Sequence, residues 1–222
     1  MVKAVIFDVD GTLVDTVDLH AQAWQKAFAK YGYEISLAEL RQQIGKGSEY
    51  IIPVFISQAE FEEKGEDIAE YRKEYFQNEL MSQVRPFEKV PELFKRIKAD
   101  SKKVVLATSA RKTTLETYKK LLKIDDLADG ATAKDDVEKS KPEPDIFAAA
   151  LAKLSGISAE EVIVVGDSPY DAIAAGKINL RTVGVLCGGF SEEVLREAGC
   201  IAIYQSPADL LANYVESPLA EN

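Results

Sequence analysis

Short apolar runs that stop at polar punctuation alternate with segments of helical period along most of this chain. Val5-Ile6-Phe7 runs into Asp8-Val9-Asp10-Gly11-Thr12, Val104-Val105-Leu106-Ala107 into Thr108, and Val162-Ile163-Val164-Val165 into Gly166-Asp167. Runs of this length, rich in β-branched side chains and bounded by turn residues, predict buried strands. Strands are expected over Ala4–Asp8, Lys103–Thr108, Ala128–Ala131, Val162–Asp167 and Thr182–Leu186, with Ile201-Ala202-Ile203-Tyr204 as an edge strand. Helical spacing covers Val90–Ala99, Thr113–Leu122, Pro144–Leu154 and Tyr170–Gly176. Strands and helices in alternation predict right-handed crossovers and an α/β fold built on a doubly wound parallel sheet.

Residues from Asp15 to Arg85 break this rhythm. They hold no recognisable strand, while Leu19, Ala23, Trp24, Ala27, Phe28 and Tyr31 recur at helical spacing, as do Ile68, Tyr71 and Tyr75. An all-helical insertion is expected over 15–86, with the α/β core formed by 1–14 and 87–222. An insertion directly after the first strand sits over the carboxyl end of the sheet, where a cap can exclude water from a reaction. The competing role is structural support of the core. The polar tail, Glu216 to Asn222, is expected to fray.

The chain has 222 residues, with 27 basic against 37 acidic side chains and a net charge of −10. That balance gives no electrostatic footprint for nucleic acid or an anionic membrane. Within the insertion, 8 basic and 13 acidic residues leave a net of −5, which disfavours large polyanions. Cys187 and Cys200 form no disulfide framework and read as small buried hydrophobes in a reducing compartment. No run reaches membrane-spanning length and the N-terminus lacks a signal peptide pattern, so a cytoplasmic protein is expected. No oligomerisation signal is evident.

The candidate chemistry lies where strands end, because open α/β sheets bind ligands at their carboxyl edges. Asp8 and Asp10, two residues apart, suit a nucleophile followed by a proton-transfer group. Thr108 and the backbone that follows it can hold an anion, although a simple helix N-cap gives the same pattern. In Ser140-Lys141-Pro142-Glu143-Pro144-Asp145 the prolines stiffen the turn and aim the Lys141 ammonium. Asp171 falls about one helical turn after Asp167, so the two can face one centre. Two carboxylates ~5 Å apart repel by about 3 kcal/mol at an effective dielectric near ~20. Four converging acids therefore imply a divalent cation, and an all-oxygen site with room for water suits Mg²⁺.

Other signals are weaker. Gly45-Lys46-Gly47-Ser48 lacks the spacing and preceding strand of a phosphate-binding Walker loop. Lys46 remains a candidate for a second anionic group of a substrate. His20, the single histidine, lies one turn from both Thr16 and Trp24 and reads more readily as a packed helix residue than as a catalyst. Gly188-Gly189-Phe190 reads as a flexible strand exit, more structural than chemical.

With these four segments together the chain resembles the haloacid dehalogenase-like superfamily of phosphotransferases over essentially its full length. The insertion is similar to the small helical cap of the branch containing phosphoglycolate phosphatases and β-phosphoglucomutases. The resemblance implies that Asp8 attacks phosphorus and forms an aspartyl-phosphate. It implies that Asp10 protonates the leaving alkoxide and later activates water. Mg²⁺ would be held by the Asp8 and Asp167 side chains and the Asp10 carbonyl, with Asp171 orienting metal-bound water or steadying Lys141. Gly11, Thr108, Ser109 and Lys141 would cradle the phosphoryl group of a small phosphorylated metabolite, with His20 and Lys46 as further substrate-binding candidates from the cap.

The resemblance also bears on the reaction. Carbon–halogen dehalogenases of the superfamily lack an acid two residues after the nucleophile, so Asp10 points to an alkoxide leaving group. Asp15-Thr16, His20 and Trp24 are similar to the mutase cap. Gly166, however, stands where those mutases have Glu, and Ser48-Glu49-Tyr50 stands where they place an arginine. Hydrolysis of small phosphate monoesters is the expectation, with a phosphosugar mutase as the alternative. A receiver-type phospho-acceptor module, the competing class, would be shorter and would have no cap.

Overall fold

A computed structural model describes residues 1–221; Asn222 lies outside the described residues. In chain order the elements are β1 (Ala4–Phe7), β2 (Val14–Asp15), α1 (Val17–Lys30), α2 (Leu37–Arg41), α3 (Ser48–Ile51), α4 (Gln58–Tyr75) and β3 (Arg85–Pro86). Then follow α5 (Val90–Ala99), β4 (Lys103–Ala107), α6 (Lys112–Leu122), β5 (Gly130–Thr132), α7 (Asp145–Ala152) and β6 (Val162–Gly166). The chain ends with α8 (Pro169–Gly176), β7 (Arg181–Val185), α9 (Glu192–Glu197), β8 (Cys200–Tyr204) and α10 (Pro207–Ala212).

Six strands form one parallel sheet in the order β5-β4-β1-β6-β7-β8. The central strand β1 pairs with β4 (Ala4 opposite Lys103) and with β6 (Ala4 opposite Val162). Its alternating side chains serve two helical layers, the period-2 behaviour of a strand covered on both faces. Ala4 and Ile6 join Ile146, Phe147 and Ala150 of α7, and Ala174 of α8. Val5 and Phe7 join Leu93, Phe94 and Ile97 of α5 with Leu115 and Tyr118 of α6. The Phe7 and Phe94 rings lie 4.8 Å apart.

This order fixes where ligands can sit. The chain builds outward from β1 on one side through β4 and β5, then crosses back to β6 on the other. The carboxyl ends of β1, β4 and β6 therefore meet at a topological switch point, the crevice where such sheets bind ligands. Every expected strand is found, with its end shifted by no more than two residues.

The segment between β2 and β3 is helical and has its own apolar cluster, including Val17, Trp24 and Phe28 of α1, Leu40 of α2 and Ile68 of α4. The other face of α1 packs toward the sheet through Ala23 and Leu19. Contrary to the expectation of no strand from Asp15 to Arg85, Val14 and Asp15 pair antiparallel with Pro86 and Arg85. This two-residue ribbon ties together the chain's entry to and exit from the insertion. It is too short to carry an alternation signal. Among the described residues, no helix is long and apolar enough to cross a membrane.

The tail is also different from expectation. Leu219 is fully buried in the main core, Ser217 is buried, and the Val2 amide donates to the Glu221 carbonyl at 2.9 Å. The Lys102 ammonium donates to the Leu219 carbonyl. Leu219, with Ala220 packed beside it, anchors an otherwise polar tail, which composition averaged over the segment conceals. Leu219→Ala should lower unfolding free energy by about 2–4 kcal/mol, the cost of a core truncation. Urea denaturation checks this, and a loss under ~0.5 kcal/mol, typical of surface changes, would mean the tail is loose.

Candidate active site

Two strand ends, the first turn of a helix and one loop turn supply the central cluster. Asp8 follows β1, Asp167 follows β6, Asp171 occupies the first turn of α8, and Lys141 comes from the turn preceding α7. All four are almost wholly buried, at 4%, 3%, 1% and 2% exposure. Asp8, Asp167 and Asp171 each offer a carboxylate oxygen within 4.8 Å of the others. The Lys141 ammonium donates to Asp8 Oδ1 at 2.5 Å and to Asp171 Oδ1 at 2.6 Å. The other Asp171 oxygen accepts from the Ser168 amide and hydroxyl at the start of α8. The Thr12 hydroxyl lies 2.9 Å from Asp167 Oδ1 and 3.2 Å from Asp8 Oδ2, so it donates between them.

Three buried carboxylates against one ammonium leave an excess of negative charge. Burial pushes Asp8 up to about 7, even though the Lys141 charge opposes the rise. Asp167 is driven well above the usual carboxylate range by burial, then by the charges of Asp171 and Asp8. Burial works against the Lys141 charge, but the Asp171 and Asp8 carboxylates outweigh it and hold the ammonium protonated. Oxygen-only donors with uncompensated negative charge fit a hard divalent cation of the Mg²⁺ type.

Small residues make this packing possible. Gly11 adopts φ +81°, and a Cβ there would stand 2.4 Å from Asp167 Oδ2. A Cβ on Gly188 would fall 1.7 Å from the same oxygen, and the neighbouring Cys187 thiol donates to the Gly11 carbonyl at 3.2 Å. The loop after β7, expected to be a flexible strand exit, is thus pressed against Asp167. Only the folded juxtaposition reveals it; the signal in sequence is the glycine pair alone.

Asp10 faces away from this cluster. Its Oδ2 accepts from the Thr108 hydroxyl at 3.0 Å, while Oδ1 meets Thr16 at 3.2 Å and His20 Nε2 at 2.9 Å. On the far side of the imidazole, Arg72 Nη2 of α4 lies 2.7 Å from Nδ1. A guanidinium only donates, so Nδ1 is the acceptor and Nε2–H donates to Asp10. Burial and the adjoining Arg72 charge both lower the His20 pKa, which agrees with a neutral ring. Hydrogen bonds from His20 and Thr108 overcome the effect of burial and bring Asp10 to about 2. His20 also stacks on Phe76, 4.2 Å between centroids, where α4 passes into a π turn. It is a packed helix residue and, at the same time, a hydrogen-bond donor to Asp10.

Thr108 follows β4 and accepts from the Ala110 amide at 2.9 Å, and the Ser109 hydroxyl beside it is buried without a partner among the described residues. Lys46 lies elsewhere. Its ammonium contacts Gln43 Oε1 at 2.5 Å and lies 4.7 Å from the centre of the Tyr170 ring of α8. It marks the seam between insertion and core rather than the carboxylate cluster. Sequence reasoning gives no role to Thr12 or Arg72 and reads Gly188 only as part of a flexible strand exit. Thr12 belongs to the first motif, but its two acceptors lie 155 residues apart in the chain.

Residues 5–185 match the model of the haloacid dehalogenase-like hydrolase family. The chain is 31% identical over 197 residues to the "Putative pyrophosphatase PpaX" of Caldanaerobacter subterraneus subsp. tengcongensis, covering 88% of this chain and 87% of that one. It is 27% identical over 211 residues to the phosphorylated carbohydrates phosphatase of Thermotoga maritima, covering 94% and 96%. The crystal structure of a hydrolase from Pseudomonas syringae superposes with a TM-score of 0.86 at 30% identity, over 96% of this chain and 98% of that one.

The contact of Gly188 with Asp167 gives a direct test. Gly188→Ala displaces the Asp167 carboxylate and should weaken divalent-cation binding, measured by titration calorimetry with Mg²⁺ as the probe, by at least ~10-fold. Affinity unchanged from the parent would show that this carboxylate is not part of a cation site.

Proposed function

The chain belongs to the haloacid dehalogenase-like hydrolase family, and we propose that within it the protein is a Mg²⁺-dependent phosphatase of small phosphate monoesters, acting through an aspartyl-phosphate. One observation carries this reading: Asp8, Asp167, Asp171 and Lys141 form one buried cluster at the ends of β1 and β6, while Asp10 stands beside it with its own separate hydrogen bonds.

In this reading Asp8 attacks phosphorus in line. Lys141 and Thr12 hold its two oxygens, which leaves few orientations open to the carboxylate. The Thr108 hydroxyl, the Ser109 amide and Lys141 receive the equatorial phosphoryl oxygens. Asp171 steadies the Lys141 ammonium. Asp10 must carry a proton when substrate binds; it gives that proton to the departing alkoxide, and the ionised acid, the form His20 and Thr108 stabilise and orient here, then takes one from the water that hydrolyses the intermediate. The Asp8 and Asp167 side chains and the Asp10 carbonyl would hold the metal, which supplies neutralisation of charge on the transferring phosphoryl group.

Residues 15–86 act as a cap over a core of 1–14 and 87–222. Asp8 and Lys141 are both buried, so substrate entry requires the insertion to lift on its two connections at β2 and β3. Closure then excludes water, the setting in which electrostatic stabilisation is strongest. Two free thiols, Cys200 buried and Cys187 half-buried rather than buried as expected, and the net negative charge fit a cytoplasmic enzyme acting on a small metabolite of the phosphosugar or phosphoglycolate type.

Two features favour hydrolysis over phosphosugar mutation. A Cβ at Gly166 would lie 2.6 Å from the Asp171 side chain, which leaves no space for a glutamate there. Glu49, near the position where the mutases place an arginine, is an acid that would repel a second phosphate.

Against p-nitrophenyl phosphate, a metabolite panel and pyrophosphate, turnover should vanish on chelation and return with Mg²⁺. Asp8→Asn should lower kcat by at least ~10⁴-fold, the scale for losing a nucleophile. Stable phosphorylation with negligible turnover of the parent would instead support an acceptor module. With β-glucose 1-phosphate and glucose 1,6-bisphosphate the expected product is inorganic phosphate; glucose 6-phosphate as the main product would establish a mutase.

A further inference from the structure

The turn that delivers Lys141 is held from outside the core. The Ser140 amide donates to Glu49 Oε1 at 3.0 Å, and the Lys141 carbonyl accepts from the Gly47 amide at 3.2 Å. Both partners belong to the insertion, at the start of α3. A Cβ on Gly47 would lie 2.3 Å from Ser140 Cβ, so this approach depends on glycine. Glu49 Oε1 also accepts from the Lys134 ammonium at 3.2 Å, and Lys134 in turn reaches Ser140 Oγ at 2.7 Å. The Lys134 amide donates to the Ala110 carbonyl at 2.9 Å, two residues beyond Thr108. One carboxylate of the insertion therefore touches the Lys141 turn directly and the Thr108 loop through a single lysine.

We infer that Glu49 is a positioning residue that couples closure of the insertion to placement of Lys141. When the insertion lifts, the Ser140 amide and the Lys141 carbonyl lose these partners together. The turn is then free to relax, and the ammonium loses part of what fixes its direction. When the insertion closes, the same two bonds restore the turn. Closure thus does two things at once: it shuts out water and it sets the cation beside Asp8. Lys134 adds charge pairing, which is partly exposed and therefore secondary to the Ser140 bond. The inference rests on the phosphatase reading for what Lys141 does, but the contact itself does not.

The test uses the full chain with Glu49→Ala and Glu49→Gln. Glutamine keeps the Oε1 acceptor for Ser140 and gives up the charge toward Lys134. Amide hydrogen exchange at Gly47 and Ser140 should accelerate by at least ~10-fold in Glu49→Ala, as expected when local opening becomes easier. In the same variant kcat should fall and KM should rise, while Glu49→Gln stays within ~3-fold of the parent in both constants. A purely structural role would lower thermal stability and leave kcat and KM alone. Should Glu49→Ala fail to fold, Glu49→Asp serves, because its shorter side chain cannot span Ser140 and Lys134 together. Exchange in the folded variant within twofold of the parent overturns the latch, and faster exchange with unchanged kcat and KM overturns the coupling to Lys141. A parent without phosphatase activity overturns the functional reading, and the exchange measurement still decides the latch.

Discussion

Three carboxylates buried around one ammonium are the constraint on which the rest of this molecule depends. Acids so close together cannot all stay charged in a dry interior unless cations and donors answer them. Lys141 answers two, Thr12 links two, and Ser168 caps the third. What remains uncompensated suits a divalent cation. The sheet order follows the same requirement, since only a switch point brings the ends of β1, β4 and β6 into one crevice. The glycines at 11, 166 and 188 are space reserved for carboxylates, each placed where a methyl group would collide with Asp167 or Asp171.

The second theme is division of labour between neighbouring acids. Asp8 and Asp10 are two residues apart yet experience opposite environments. Burial raises Asp8, whereas donors from His20 and Thr108 lower Asp10. Both acids lie beyond β1, which ends at Phe7, so strand alternation does not set their directions, and each side chain meets surroundings that are furnished differently. Asp10 is also where insertion and core share a hydrogen-bond chain, running from Arg72 through His20 to the acid and on to Thr108. At the opposite rim, Glu49 joins the insertion to the Lys141 turn. The insertion therefore grips both groups that the proposed reaction sets beside a transferring phosphoryl, the acid on one side and the cation on the other.

Much of this was legible in the sequence because the site is made of strand ends. A run such as Val162-Ile163-Val164-Val165 announces a strand, and the residue that follows is then placed at the ligand edge with no further information. The acids after β1 and β6 and Thr108 were readable for that reason, and Lys141 from the prolines that stiffen its turn. Thr12 was in plain view, but its bridging depends on a partner 155 positions away. Arg72, Glu49 and Gly188 carry no local signature, since a charged residue on a helix and a glycine after a strand are ordinary. The β2–β3 ribbon is shorter than any period can register, and the tail is buried through Leu219 and hydrogen bonds to distant residues such as Val2 and Lys102. Long-range contact, rather than local propensity, separates what was read from what was not.

The most direct measurement is the mass of the protein after rapid mixing with a turned-over phosphate ester and Mg²⁺, followed by acid quench and peptide mapping. The account predicts one added phosphoryl group on the peptide carrying Asp8, absent in Asp8→Asn and absent after chelation. A phosphoryl group found on another residue, or turnover with no phosphorylated species at any quench time, would contradict it.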